Sequence, residues 1–173
     1  VISRGFWHQS TNDDGIKKLL SKKTTGYIGF DCTSSSLHVG SRLPLMLLRL
    51  FQKCGHKPII LIGGGTTLIG DPSGKDETRK ILKKSDVEKN KDGLKKIFKK
   101  FLSFDKKNTN YAELVDNYDW LSKLELIPFL RDTGSKFSIN RMLGLESIKQ
   151  RLSREQNLSF LEFNYSIFQA YDY

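Results

Sequence analysis

Apolar residues along this chain alternate between helical and strand-like spacing. Ile16, Leu19 and Leu20 follow the polar run Thr11-Asn12-Asp13-Asp14 at helical spacing. Thr11 and Asp14 stand as a capping box, so a short helix is predicted there. Gly26-Tyr27-Ile28-Gly29-Phe30 predicts a short strand; glycine inside a strand weakens it and marks close approach of a ligand or another backbone. After the hydroxyl-rich turn Cys32-Thr33-Ser34-Ser35-Ser36, the apolar stretch from Leu37 to Phe51 is long enough for a buried helix. Pro44 is tolerated only near a helix start, which predicts a helix from about Ser41. Pro58-Ile59-Ile60-Leu61-Ile62 reads as a buried parallel strand, followed by a Gly-rich loop from Gly63 through Lys75. Strand, helix and strand within this span make a βαβ unit, and an open parallel α/β sheet is the expected architecture.

The pattern changes at Ser85. Ser85 and Glu88 form a second capping box. Behind them Leu94, Ile97, Phe98, Phe101 and Leu102 share one helical face, with Lys95, Lys96, Lys99 and Lys100 opposite. Those lysines read either as a solvated face or as phosphate contacts. Helical patterns continue through Trp120–Leu130 and Met142–Leu152, and no strand is obvious in this stretch. A helical insertion over about residues 85–152 is therefore predicted.

Composition narrows the class. At 173 residues, with 38% hydrophobic and 28% charged residues, the chain can build one packed domain. No apolar run approaches the roughly 20 residues needed to span a bilayer, so no membrane role is expected. Cys32 and Cys54 are too far apart for a common zinc pattern, and two free thiols suit a reducing cytoplasm. The formal charge of +10 suggests a polyanionic partner. The chain begins without Met and stops inside an apolar helical pattern, so it reads as a fragment.

Three segments could carry chemistry. In the first, Asp31 to Ser41, a helix N-terminus can receive phosphate, Gly40 permits close approach, and His38 with its hydroxyl neighbours can donate to a phosphoryl group. A Ser-rich turn with a helix cap and an incidental His is the plainer alternative. The second, Gly63 to Lys75, superficially resembles a P-loop, but Gly70 and Gly74 are one residue too close. Lys75 is also followed by Asp76 rather than a hydroxyl. What remains is a Gly/Pro loop with a carboxylate, Asp71, and two cations, Lys75 and Arg79. In the third, Phe160 to Asp172, Tyr165, Gln169 and Asp172 share one face of an aromatic-rich helix that is expected to be largely buried. Such a polar stripe needs partners, from the protein or from a polar ligand.

In this order the three segments resemble the tyrosyl branch of the class I aminoacyl-tRNA synthetase family. The resemblance runs from about Arg4 to the last residue. Tyr27-Ile28-Gly29-Phe30-Asp31 with His38-Val39-Gly40-Ser41 resembles the family's first ATP motif, and Leu68 to Lys75 its second loop. Asn117-Tyr118-Asp119-Trp120 and Phe129-Leu130-Arg131-Asp132 resemble its helical insertion, and Phe160 to Asp172 its amino-acid-binding helix. The resemblance implies an incomplete Rossmann-like catalytic domain spanning residues 1–173, which activates L-tyrosine with ATP and transfers it to tRNA(Tyr). It also implies ATP as substrate with Mg2+ but no protein-bound metal, and a cytoplasmic homodimer formed through the insertion at about Phe129–Met142. The second ATP motif and the anticodon-binding domain are expected beyond this chain, which is expected to be inactive alone. By the same resemblance, Tyr27 and Asp172 bind the phenolic hydroxyl, Asp71, Tyr165 and Gln169 bind the α-ammonium group, and Asn117 supports the pocket. Thr33, His38, Gly40 and Ser41 contact ATP, Gly29 and Asp31 lie along the nucleotide, and Lys75 and Arg79 engage pyrophosphate. Ser41 and Cys32 depart from the family's usual His and Pro. The rivals are a tryptophan-specific synthetase and a non-catalytic RNA-binding module using the lysine face.

Overall fold

A computed structural model describes residues 5–70, 82–155 and 157–172. Among them three strands, β1 (Thr25–Asp31), β2 (Lys57–Gly63) and β3 (Glu113–Asp116), form one parallel sheet in the order β1-β2-β3. Helix α1 (Asp13–Leu20) precedes β1, α2 (Val39–Lys53) connects β1 to β2, and α3 (Gly64–Ile69) and α4 (Lys84–Phe101) lie between β2 and β3. Parallel neighbours need such crossover helices. Helices α5 (Tyr118–Leu121), α6 (Leu126–Pro128), α7 (Ile139–Leu143), α8 (Glu146–Ser153) and α9 (Phe160–Tyr171) follow. A π turn (Phe129–Thr133) and a 3-10 turn (Gly134–Lys136) join α6 to α7. No helix is long and apolar enough to cross a membrane among the described residues.

The chain divides into two compact units. The first comprises Val1–Phe30, Ser34–Ile62 and Lys89–Val115, and its core is apolar. Leu45 and Leu48 of α2, Ile60 to Ile62 of β2, Leu94 and Phe98 on one face of α4, and Leu102 just past its end are all buried. Phe98 is fully enclosed and packs on Phe30 with ring centroids 5.1 Å apart; truncating such a ring to Ala costs about 3–5 kcal/mol. Gln52 clasps the chain that follows α4. Its side-chain amide donates to the carbonyls of Ser103 (2.8 Å) and Asn110 (3.0 Å), and its Oε1 accepts from the Ser103 N–H at 2.9 Å. Near the start of β3, Lys57 pairs with Glu113 at 2.7 Å and lies over the Tyr111 ring.

The second unit comprises Asp31–Thr33, Gly63–Glu88 and Asp116–Tyr173, so it includes the last residue of each strand. Its interior is markedly polar: Thr66, Thr67, Asn117, Arg151 and Glu162 are buried beside Met142, Ile148 and Ile167. Arg151 and Glu162 form an enclosed ion pair at 3.0 Å. Ser159 and Glu162 make a reciprocal capping box that starts α9. Phe129 stacks on Phe168 at 5.2 Å, which brings the π turn onto α9.

Several sequence expectations need correction. Residues 85–152 are not all helical, because Glu113–Asp116 is a strand of the main sheet. Four residues are too few to show alternation, and the strand exists through its pairing partner. The loop predicted from Gly63 is helical over Gly64–Ile69. Asn12, rather than Thr11, caps α1 by accepting from the Gly15 N–H at 2.8 Å. Helix α2 starts at Val39 with His38 as its cap, and Pro44 is accommodated inside it. The proline forfeits only the bond to the carbonyl of Gly40, an exposed residue in the first turn. Helix α4 begins at Lys84, which puts Ser85 inside it. Helix α9 is not largely buried: Glu162 and Ile167 are enclosed, whereas Phe160 is 79% exposed.

Candidate functional site

In open α/β sheets, ligands bind beyond the carboxyl ends of the strands. Those ends are Asp31, Gly63 and Asp116. In the second unit the chain turns at each of them into a polar cluster built from three glycines and a set of hydroxyl, amide and carboxyl groups. A Cβ at Gly63 would overlap the Asp31 carboxylate, and one at Gly64 would overlap that of Asp116. Only glycine lets α3 begin this close to the acids.

Asn117 is the hub. It is 1% exposed, and its side-chain amide makes three hydrogen bonds. Oδ1 accepts from the Gly65 N–H at 2.7 Å; Nδ2 donates to Thr66 Oγ1 at 3.1 Å and to Asp172 Oδ2 at 3.0 Å. The other carboxylate oxygen of Asp172 accepts from the indole N–H of Trp120 at 2.9 Å. Thr66 in turn donates to Asp31 Oδ1 at 3.0 Å, and the Tyr165 hydroxyl donates to Asp31 Oδ2 at 3.1 Å. One hydrogen-bonded chain thus joins Tyr165, Asp31, Thr66, Asn117, Asp172 and Trp120. Its donors to the two carboxylates are a threonine and a tyrosine hydroxyl, an amide and an indole N–H, which fix the direction of both.

Of the residues singled out from sequence, Asp31, Asn117, Tyr165 and Asp172 meet in this network. Gln169, one turn along α9 from Tyr165, is exposed, and Asp172 caps the helix. Thr33 is exposed. Asp71, Lys75 and Arg79 lie outside the described residues. Thr66, Thr67 and Trp120 were not picked out as site residues. Two hydroxyls directly after a triple glycine, and an indole three residues beyond Asn117, were the available signals.

The first unit holds the others. At the start of α2, His38 Nδ1 accepts from the Ser41 N–H at 3.3 Å, and its Nε2 lies 3.0 Å from Ser41 Oγ. With Nδ1 accepting, the ring proton sits on Nε2 and is donated to Ser41. Gly40 lets the His38 ring fold back, since a Cβ there would press on it at 3.0 Å. The exposed imidazole therefore serves as the cap of α2, with both ring nitrogens turned to Ser41. On β1, Tyr27 is half-buried with its hydroxyl shielded from solvent. Packing is tight at Gly26, where a Cβ would press on the Phe51 ring at 3.1 Å; at Gly29 the nearest atom lies at an ordinary 3.8 Å. Packing therefore does not explain the glycine at 29. Lys96, Lys99 and Lys100 of α4 are exposed, and Lys95 pairs with Asp92 at 3.3 Å, as on a solvated face.

A parallel sheet with helical crossovers and carboxylates at its strand ends defines the class. Residues 19–173 match the family of class I tRNA synthetases for tryptophan and tyrosine, and the chain belongs to that family. Within it, the chain is 56% identical over 171 residues to the tyrosine–tRNA ligase of Pelagibacter ubique, covering 98% of this chain and 42% of the relative. It is 55% identical over 175 residues to that of Wolbachia pipientis, covering all of this chain and 41% of the relative. A truncated mitochondrial tyrosyl-tRNA synthetase from Aspergillus nidulans superposes with a TM-score of 0.84 at 32% identity, over 99% of this chain and 51% of that one. The chain spans about 42% of the length of the curated relatives it matches.

Proposed function

We propose that this chain is part of the catalytic domain of a tyrosine–tRNA ligase. The observation that carries this reading is the Asp172 carboxylate, held on one oxygen by Trp120 and on the other by Asn117. An acceptor fixed in this way suits a phenolic hydroxyl and has no equivalent use for phenylalanine. In this reading Tyr27 and Asp172 share that hydroxyl, Asn117 supports the pocket, and Asp71, Tyr165 and Gln169 take the α-ammonium group. Thr33, His38, Gly40 and Ser41 face ATP, with Gly29 and Asp31 along the nucleotide and Lys75 and Arg79 on the departing pyrophosphate.

The chemistry needs no enzyme nucleophile. A tyrosine carboxylate oxygen attacks the α-phosphorus of ATP, the bond to the bridging oxygen breaks, and pyrophosphate leaves with that electron pair. A terminal tRNA hydroxyl then attacks the tyrosyl carbonyl, and AMP departs. Catalysis comes from aligning two anions and stabilising charge as it moves. In this reading His38, exposed at a helix N-terminus, exchanges its hydrogen bond to Ser41 for one to a phosphoryl oxygen when ATP binds. Mg2+ enters with ATP as part of the substrate.

The same reading makes the protein a cytoplasmic homodimer that binds tRNA(Tyr) using regions outside this chain. The segment around Phe129–Met142 is the proposed contact, supported by a run of exposed apolar side chains: Leu126, Ile127, Leu130 and Ile139. Phe129 and Met142 themselves face inward, on Phe168 and in the core respectively. The experiment that tests the function is amino-acid-dependent ATP–pyrophosphate exchange by the complete gene product. Exchange with tyrosine and none with tryptophan or phenylalanine is expected; equal exchange with tryptophan would overturn the assignment.

A further inference from the structure

We infer that Thr67 is a positioning residue for the nucleotide side of the site, acting through the backbone of Cys32. This deepens the proposed function, because it rests on Asp31 and Thr33 facing ATP. The Cys32 N–H, in a residue with no solvent exposure, donates to Thr67 Oγ1 at 2.8 Å. Thr67 is itself buried, on the short helix α3. Its neighbour Thr66 holds the Asp31 side chain at 3.0 Å. Two consecutive threonines thus hold two consecutive residues at the end of β1, one by its carboxylate and the other by its main chain.

The two contacts differ in what depends on them. Asp31 has a second side-chain donor in Tyr165, so its carboxylate stays oriented without Thr67. Thr33 is exposed and follows directly from Cys32, so its position depends on the main chain at that point. A buried N–H whose acceptor is removed must find another or move toward water. Threonine suits the task because its β-branch restricts χ1 and keeps the hydroxyl aimed. Loss of this bond therefore falls on Thr33, proposed to face ATP, and spares the Asp172 carboxylate proposed for tyrosine, which has its own donors in Asn117 and Trp120.

The test is Thr67→Val, nearly isosteric and without the acceptor, beside Thr67→Ser, which keeps it, both in the complete gene product. ATP–pyrophosphate exchange gives KM for ATP and for tyrosine separately, and thermal unfolding follows stability. In Thr67→Val the KM for ATP is expected to rise about tenfold, the equivalent of one buried hydrogen bond, while that for tyrosine stays within about twofold. Thr67→Ser is expected to stay near wild type in both. An unchanged KM for ATP overturns the inference, as does an equal rise in both constants. A Thr67→Val protein that cannot fold assigns the bond to stability alone and also overturns it. Wild-type protein without tyrosine-dependent exchange would instead defeat the functional reading on which the inference stands.

Discussion

Replacing Asp172 by Asn keeps the size of the side chain and removes its charge. Both carboxylate oxygens accept from N–H donors, Trp120 at 2.9 Å and Asn117 at 3.0 Å. An amide has one oxygen, so in either orientation its NH2 must face one of these donors. One charge-assisted hydrogen bond is lost outright and the other weakens to a neutral one. A hydrogen bond to a charged group contributes about 1.5–3 kcal/mol. A loss of about 2–3 kcal/mol in transition-state binding corresponds to a fall of roughly 30- to 150-fold in kcat/KM for tyrosine. The KM for ATP should hold, because the proposed site assigns Asp172 to tyrosine and not to ATP. Discrimination against phenylalanine should also shrink; the tyrosine-specific synthetases are the standard example of a site that rejects a substrate lacking its hydroxyl. The assay is pyrophosphate exchange by the complete gene product with each amino acid, alongside circular dichroism to verify the fold. Unchanged kcat/KM for tyrosine, or an equal loss in both substrates' constants, would refute the reasoning.

Three further outcomes follow from the packing. Arg151→Met strands the Glu162 carboxylate, 5% exposed, without its cation; a loss of about 3–5 kcal/mol in urea unfolding is expected, and a change below about 1 kcal/mol would count against it. Ile127→Lys places a charge in the exposed apolar run and should shift the complete protein toward monomer in sedimentation velocity; an unchanged association constant would move the proposed contact elsewhere. The Glu113 carboxylate beside Lys57 holds the lysine's pKa above its ordinary 10.5. A raised lysine contributes stability that is fully present below pH 10.5 and fades as the pH climbs through the folded value. Glu113→Gln should therefore be less stable than wild type at neutral pH, with the gap closing in alkaline unfolding curves; a gap independent of pH would exclude the ion pair as its source.

What the amino-acid order alone determined is local or set by spacing. The run Pro58 to Ile62 could be little but a buried strand, and Leu94, Phe98 and Leu102 fall on one helical face whatever surrounds them. Asp31, Tyr165 and Asp172 were legible because they lie in chemically unusual segments that occur in a particular order, and Asn117 through the resemblance of Asn117–Trp120 to the family's helical insertion. Their partners were not legible. Asn117 meets Thr66 and Asp172 across 51 and 55 residues of chain, and Tyr165 meets Asp31 across 134. No periodicity within a short window carries such distances.

Tertiary structure decided the rest. Glu113–Asp116 is a strand because the sheet offers it an edge, since four residues have too little intrinsic preference to declare themselves. Gly64–Ile69 is a helix where glycines suggested a loop, because bare backbone there packs against Asp31 and Asp116. Trp120 and Thr67 were not singled out as site residues in sequence. Each gained a polar role only when folding brought a part-buried carboxylate or a buried N–H within 3 Å, where an unmet hydrogen-bonding group is costly.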